Sequence, residues 1–119
     1  DGFDAKLAEG LVLMTPFNPD AEASKDFVAK YKAMMKGEVP NQFAADGYDV
    51  IYAIYNACVA TGVTGTMSAA EVSAKLQEYF KTYKFSGLTG TDMTWDANRM
   101  ISKVPAAVKI ENGKYVDIK

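Results

Sequence analysis

The sequence predicts a mixed α/β segment in which three helices lie between an initial strand and a terminal β-hairpin. A short apolar run covers residues 10–17, helical periodicity recurs three times over residues 18–83, and Asn112-Gly113 separates two strand-like runs near the end. The 119 residues suit one domain. A lone opening strand cannot form a parallel sheet, since parallel strands need a crossover partner. The order of elements therefore indicates part of a larger fold.

The opening run is Gly-Leu-Val-Leu-Met-Thr-Pro-Phe, bounded by glycine and proline. A continuous apolar run of this length is typical of a strand covered on both faces. We therefore expect residues 10–17 to form a strand buried on both faces, as in a parallel sheet.

The first helix is predicted to begin at Asn18-Pro19-Asp20, where Asn18 can cap and Pro19 suits the first turn. Gly37 is predicted to end it. The apolar residues at helical spacing are Phe27, Val28, Tyr31, Met34 and Met35.

The second helix is predicted over residues 43–61 and is apolar on more than one side. One face carries Tyr48, Ile51, Tyr52, Tyr55 and Val59. The opposite face, small or polar and suited to close packing, carries Ala45, Asp49, Ala53, Asn56 and Ala60. Such a pattern predicts contacts on more than one side of the helix.

The third helix is predicted to open with a capping box formed by Ser68 and Glu71. Its expected buried stripe is Val72, Leu76, Tyr79, Phe80 and Tyr83. The composition then changes, and residues 85–98 indicate turns and short strands. Asn112-Gly113 predicts a two-residue hairpin turn that pairs Val108 with Asp117.

Composition argues against catalysis and against several partners. The chain has no histidine and one cysteine, Cys58, inside an apolar run, so zinc sites and the common nucleophilic triads are not expected. We expect no enzyme activity, no cofactor and no metal.

The net charge of −2 argues against a nucleic-acid partner. Asp46 and Asp49 interrupt the longest apolar stretch, which therefore predicts a buried helix and no membrane span.

Several stretches resemble one family in their order and spacing. They are Glu9-Gly10-Leu11-Val12 with Thr15-Pro16-Phe17, Tyr31-Lys32, residues 40–49, residues 85–90, residues 95–98 and residues 110–114. They are spread along almost the whole chain, from residue 9 to residue 114. The sequence resembles the solute-binding proteins of branched-chain amino acid (leucine/isoleucine/valine) ABC transporters, which have the type I periplasmic binding protein fold.

The resemblance implies a carboxy-terminal portion of a two-lobed fold with Rossmann-like lobes. It assigns residues 1–17 to a second-lobe loop and strand, residues 18–102 to first-lobe helices and connecting segments, and residues 103–119 to a second-lobe hairpin. It implies an amino acid ligand held between the lobes and a membrane permease as partner. The expected location is periplasmic or extracellular, with a membrane-anchored lipoprotein as an alternative. Any targeting signal is expected upstream of this chain.

The resemblance also implies three ligand-binding residues. Asp1 is the candidate partner of the ligand's ammonium group, Phe43 a candidate wall of the pocket, and Phe17 a weaker candidate at its rim. Each has an alternative: a solvated chain end for Asp1, a hydrophobic staple for Phe43 and ordinary core for Phe17. Asp46, Tyr48 and Asp49 are expected to serve helix packing rather than ligand contact.

Two other functions stay open at this point. A ligand-sensing ectodomain of the same fold would share these motifs. Alternatively, the chain could act as an assembly unit that forms homo-oligomers by exchanging elements and binds no ligand.

Overall fold

The structure is a computed structural model that describes residues 5–118. Its helices and strands are β1 (Val12–Thr15), α1 (Lys25–Met34), α2 (Gln42–Thr61), α3 (Ala69–Phe80), β2 (Ala106–Glu111) and β3 (Lys114–Asp117). Short 3-10 turns lie at Ala5–Ala8 and Glu22–Ser24. This order confirms the predicted α/β class with three helices between a strand and a hairpin. The described residues form two compact units, residues 5–45 with 104–118 and residues 46–103.

The sheet of the first unit is antiparallel, in the order β1-β2-β3. Val12 pairs with Lys109 and Thr15 pairs with Ala106. The prediction of a strand buried on both faces in a parallel sheet is therefore wrong for the described residues. Val12 and Met14, on one face of β1, are 55% and 66% exposed, whereas Thr15 on the other face is buried. A continuous apolar run did not distinguish a strand covered on two faces from one covered on a single face.

The hairpin confirms the predicted turn and register. Asn112 and Gly113 have φ angles of +53° and +72°, the two positive values that a type I′ turn requires. Val108 pairs with Asp117, as the two-residue loop predicts. The Glu9 carboxylate accepts a hydrogen bond from the Asn112 backbone N–H at 2.9 Å, which fixes the turn to the segment before β1.

Helix α1 begins later than predicted. Asn18 accepts a hydrogen bond from the Asp20 N–H, but this closes a local turn rather than the first turn of the helix, which begins at Lys25. A short polar side chain that bonds its own backbone two residues on favours a turn as readily as a cap. The helix ends before Gly37, as predicted. Met34 is 81% exposed, so the expected apolar stripe is buried only in its first half.

Helix α2 packs through its small face. Ala45, Asp49, Ala53 and Ala57 are buried, and the opposite apolar face is open. The Asn41 Oδ1 accepts a hydrogen bond from the Ala44 N–H and caps the first turn. No helix within residues 5–118 is long and apolar enough to cross a membrane.

Helix α3 has the predicted capping box. The Ser68 Oγ accepts a hydrogen bond from the Glu71 N–H, and the Glu71 carboxylate accepts one from the Ser68 N–H at 2.8 Å. The predicted apolar stripe of α3 is only half-buried. Its aromatic side chains cluster at the end of the helix and just after it. Phe80, Tyr83 and Trp95 pack against the core formed by Ala53, Phe85 and Met93.

The capping box predicts an acid-sensitive start of α3. The hydrogen bond from the Ser68 side chain, followed by that from the Ser68 backbone, lowers the pKa of Glu71. A lowered pKa means that the ionised carboxylate stabilises the fold above the ordinary glutamate range, and that this stabilisation is lost as pH falls through the folded-state pKa. NMR titration of the Glu71 side chain should give a pKa below that of an unfolded glutamate. Ser68→Ala should raise it, and an unchanged titration would contradict this role.

Candidate functional site

A cavity of about 470 Å³ lies in the first unit, beside the end of β1 and the segment that precedes α2. Phe17 and Val28 form apolar parts of its wall, and Pro40 lies beside them; all three are buried. The Phe17 ring meets the Phe27 ring edge-on, with centroids 5.9 Å apart. This size suits a small organic molecule, and the wall offers both apolar and polar groups to it.

Polar groups at the cavity hold its shape by hydrogen bonds within the first unit. The Thr15 Oγ1 donates to the Phe17 carbonyl at 3.0 Å and accepts from the Phe17 N–H. The Asp20 carboxylate accepts from the Tyr115 N–H at 2.9 Å. Lys32 also lines the cavity, and its ammonium forms no ion pair with the described residues. The ammonium is therefore available to an anionic group.

The structure describes two of the three predicted ligand-binding residues, Phe17 and Phe43, and of these two Phe17 alone lines the cavity. Phe17 lines the cavity and is 2% exposed. Phe43 lies in the first turn of α2, is 72% exposed, and does not line the cavity, although Asn41 and Gln42 just before it do. Asp1 lies outside the described residues. Their roles at a ligand stay predictions.

Sequence reasoning missed Lys32, Asn41 and Tyr115 as cavity residues. Asn41 carried one local signal, its position just before a helix. The other two carried none, because the packing that brings them to β1 joins segments far apart in the chain.

A buried carboxylate organises the second unit. Asp49 is 5% exposed and accepts three hydrogen bonds, from the Leu88 N–H at 2.8 Å, the Thr89 N–H at 2.8 Å and the Thr89 Oγ1 at 2.7 Å. The expected packing role of Asp49 is therefore seen directly: its oxygens are occupied by the chain itself. Nearby, Asp46 forms an ion pair with Lys103.

A second, more open groove of about 900 Å³ lies in the second unit, between α2, α3 and residues 95–99. Its apolar wall includes Ile54, Leu76 and Phe80, and Arg99 stands at its edge. Among residues 5–118 no cluster of side chains could hold a metal ion. Cys58 is free and half-buried.

Comparison with known proteins identifies a family for this chain. The family model described as "Periplasmic binding protein" matches residues 2–114. No curated protein matches the sequence significantly.

Solved structures of binding proteins share the fold. A branched-chain amino acid ABC transporter periplasmic ligand-binding protein from Burkholderia xenovorans is 18% identical, with a TM-score of 0.80 over 98% of this chain and 31% of its own. An ABC transporter substrate-binding protein from Desulfitobacterium hafniense in complex with Leu is 21% identical, with a TM-score of 0.69 over 99% of this chain and 34% of its own.

A third similar structure is the branched-chain amino acid transporter substrate-binding protein from Streptococcus pneumoniae in complex with isoleucine. It is 24% identical, with a TM-score of 0.65 over 96% of this chain and 32% of its own. The chain thus spans about a third of the length of the structures it matches. With the family model matching nearly its full length, the chain belongs to the periplasmic binding protein family and has part of the type I fold.

Proposed function

We propose that this chain is part of the extracytoplasmic solute-binding component of an ABC importer, and that the complete protein binds an amino acid, branched-chain or similar, without catalysis. The observation that supports it most is the family match over residues 2–114, joined by similar structures that hold leucine and isoleucine. On this proposal the protein works in the periplasm or outside the cell and delivers its ligand to a membrane permease.

The proposed lobe assignment follows the family fold. Residues 1–17 and 103–119 belong to the second lobe, and residues 18–102 to the first. The ligand lies between the lobes, with the Asp1 carboxylate paired to its ammonium group, Phe43 against its side chain and Phe17 near the rim. The exposure of Phe43 supports this role, since a large ring that its own unit leaves open is free to contact a ligand.

Calorimetric titration of the full-length protein tests the ligand class. Leucine, isoleucine and valine should each release heat with one-site stoichiometry, whereas a polar dipeptide of similar size should not. The apolar side chain of the ligand needs an apolar wall, and its charged ends need paired groups. A full-length, folded protein that responds to no amino acid would exclude this class.

Phe43→Ala should weaken leucine binding about 10-fold to 100-fold, or about 1.4–2.8 kcal/mol, because the ligand loses its aromatic wall. Met34→Ala is the matched control, since Met34 is a similarly exposed apolar residue in a helix, 81% against 72%. Asp1→Asn should weaken binding as well, through loss of a charge-assisted bond. If Met34→Ala and Phe43→Ala weaken binding equally, Phe43 has no specific role.

A further inference from the structure

Asn112 differs in its surroundings from the other asparagines of the chain. Its side-chain amide forms no hydrogen bond with residues 5–118, and neither does the backbone N–H of Gly113, the next residue. Both residues are exposed in the hairpin turn. These two polar groups are therefore left to water rather than held by the described chain.

Three of the remaining asparagines lack one of these features. Asn18 precedes a proline, which has no N–H. The side chains of Asn41 and Asn56 are held by hydrogen bonds to other residues.

Asn98 is the closest counterpart of Asn112. It is exposed, and its side chain forms no hydrogen bond with the described residues. However, the backbone N–H that follows it, that of Arg99, donates to the Asp96 carbonyl at 2.9 Å. Arg99 also has a side chain beside this nitrogen, whereas glycine has none. Asn98 therefore provides a comparison within the same molecule.

We propose that Asn112 is a site of spontaneous deamidation in the folded chain. The Gly113 backbone nitrogen attacks the side-chain carbonyl carbon of Asn112, and the bond from that carbon to the amide nitrogen breaks. The proton of the Gly113 N–H passes through water to the leaving nitrogen, and ammonia departs from a cyclic imide. Water then adds to one of the imide carbonyls and opens the ring, which yields aspartate or isoaspartate. The reaction needs no reactant besides water and is independent of the proposed function.

The attack requires the hairpin turn to open briefly, because the strand ladder holds the two ends of the turn. Glu111 pairs with Lys114, and the turn residues have fixed positive φ angles. Local opening of this kind costs less free energy than unfolding of the whole chain. The deamidation rate therefore follows the opening of the turn.

The product acts on the contact that fixes the turn. The Glu9 carboxylate accepts the Asn112 N–H at 2.9 Å. Deamidation gives residue 112 a carboxylate of its own, so a second negative charge stands beside this contact. Isoaspartate also lengthens the main chain of the two-residue turn, whose length sets the register of β2 with β3. The modification therefore loosens the hairpin from the segment before β1.

The test is incubation of the 119-residue chain at slightly alkaline pH, with digestion at intervals. Mass spectrometry measures the exchange of amide for acid at each asparagine, and circular dichroism verifies that the chain is folded. We expect Asn112 to convert at least about tenfold faster than Asn98, which corresponds to about 1.4 kcal/mol in the activation barrier. A smaller ratio overturns the proposal.

Asn112→Asp, which has the charge of one product, tests the consequence for the hairpin. It should raise the hydrogen exchange rate of the Lys114 backbone amide about twofold to fivefold, because like charges weaken the turn. Asn98→Asp is the matched control, since it adds the same charge in the second unit, and it should leave this rate unchanged. In a Glu9→Gln background Asn112→Asp should have no effect. An effect that persists in that background overturns the role assigned to Glu9.

Discussion

Replacing Asp49 by alanine should lower the free energy of unfolding by about 3–4 kcal/mol, because two buried donors and one partly buried donor lose their acceptor at about 1 kcal/mol or more each. Urea unfolding followed by circular dichroism measures the change. Asp46→Ala is the control one helical turn away. It removes a partly buried ion pair with Lys103 and should cost about 1 kcal/mol. Equal losses in the two variants would contradict the role assigned to Asp49.

Gly87→Ala should lower the free energy of unfolding by about 2–3 kcal/mol, because the added methyl group has no room. An alanine Cβ at this position would lie 2.4 Å from the Asp49 Oδ1 and 2.5 Å from its Cγ. The substitution must therefore push the loop off the carboxylate that holds it. The same urea experiment measures the loss.

Gly47→Ala is the control for the glycine substitution. Gly47 lies in α2 with nothing within 4 Å of an added Cβ, so alanine should stabilise the helix by about 0.5–1 kcal/mol. The double variant of Asp49 and Gly87 adds a second check. With the carboxylate gone, Gly87→Ala should cost much less than it does alone. Strictly additive losses would show that the clash is not with Asp49.

Local chemistry made part of this structure predictable from sequence. The Asn112-Gly113 turn and the Ser68–Glu71 capping box each depend on residues within four positions, and both are confirmed. Periodicity placed α2 within one residue of its observed start. The family resemblance, spread along the chain, gave the fold class, which no single element could establish.

Long-range packing made the rest unpredictable. Periodicity showed two packable faces on α2 but could not tell which one the chain itself buries, because alanine and tyrosine faces are both compatible with a core. The partners of Asp49 lie 39 and 40 residues away, and nothing local indicated them. The cavity beside Phe17 is formed in the same way, by segments that meet only in the folded unit.

The stacking of Tyr83 on Trp95 has a spectroscopic consequence. Their rings are almost parallel, at 4° with centroids 6.0 Å apart, and Trp95 is the only tryptophan of the sequence. Its emission therefore reports on the second unit alone, whereas the antiparallel sheet belongs to the first. Fluorescence and infrared amide absorption can thus follow the two units separately in one sample. Coincident melting curves would identify a single cooperative transition, and separated curves two independent ones.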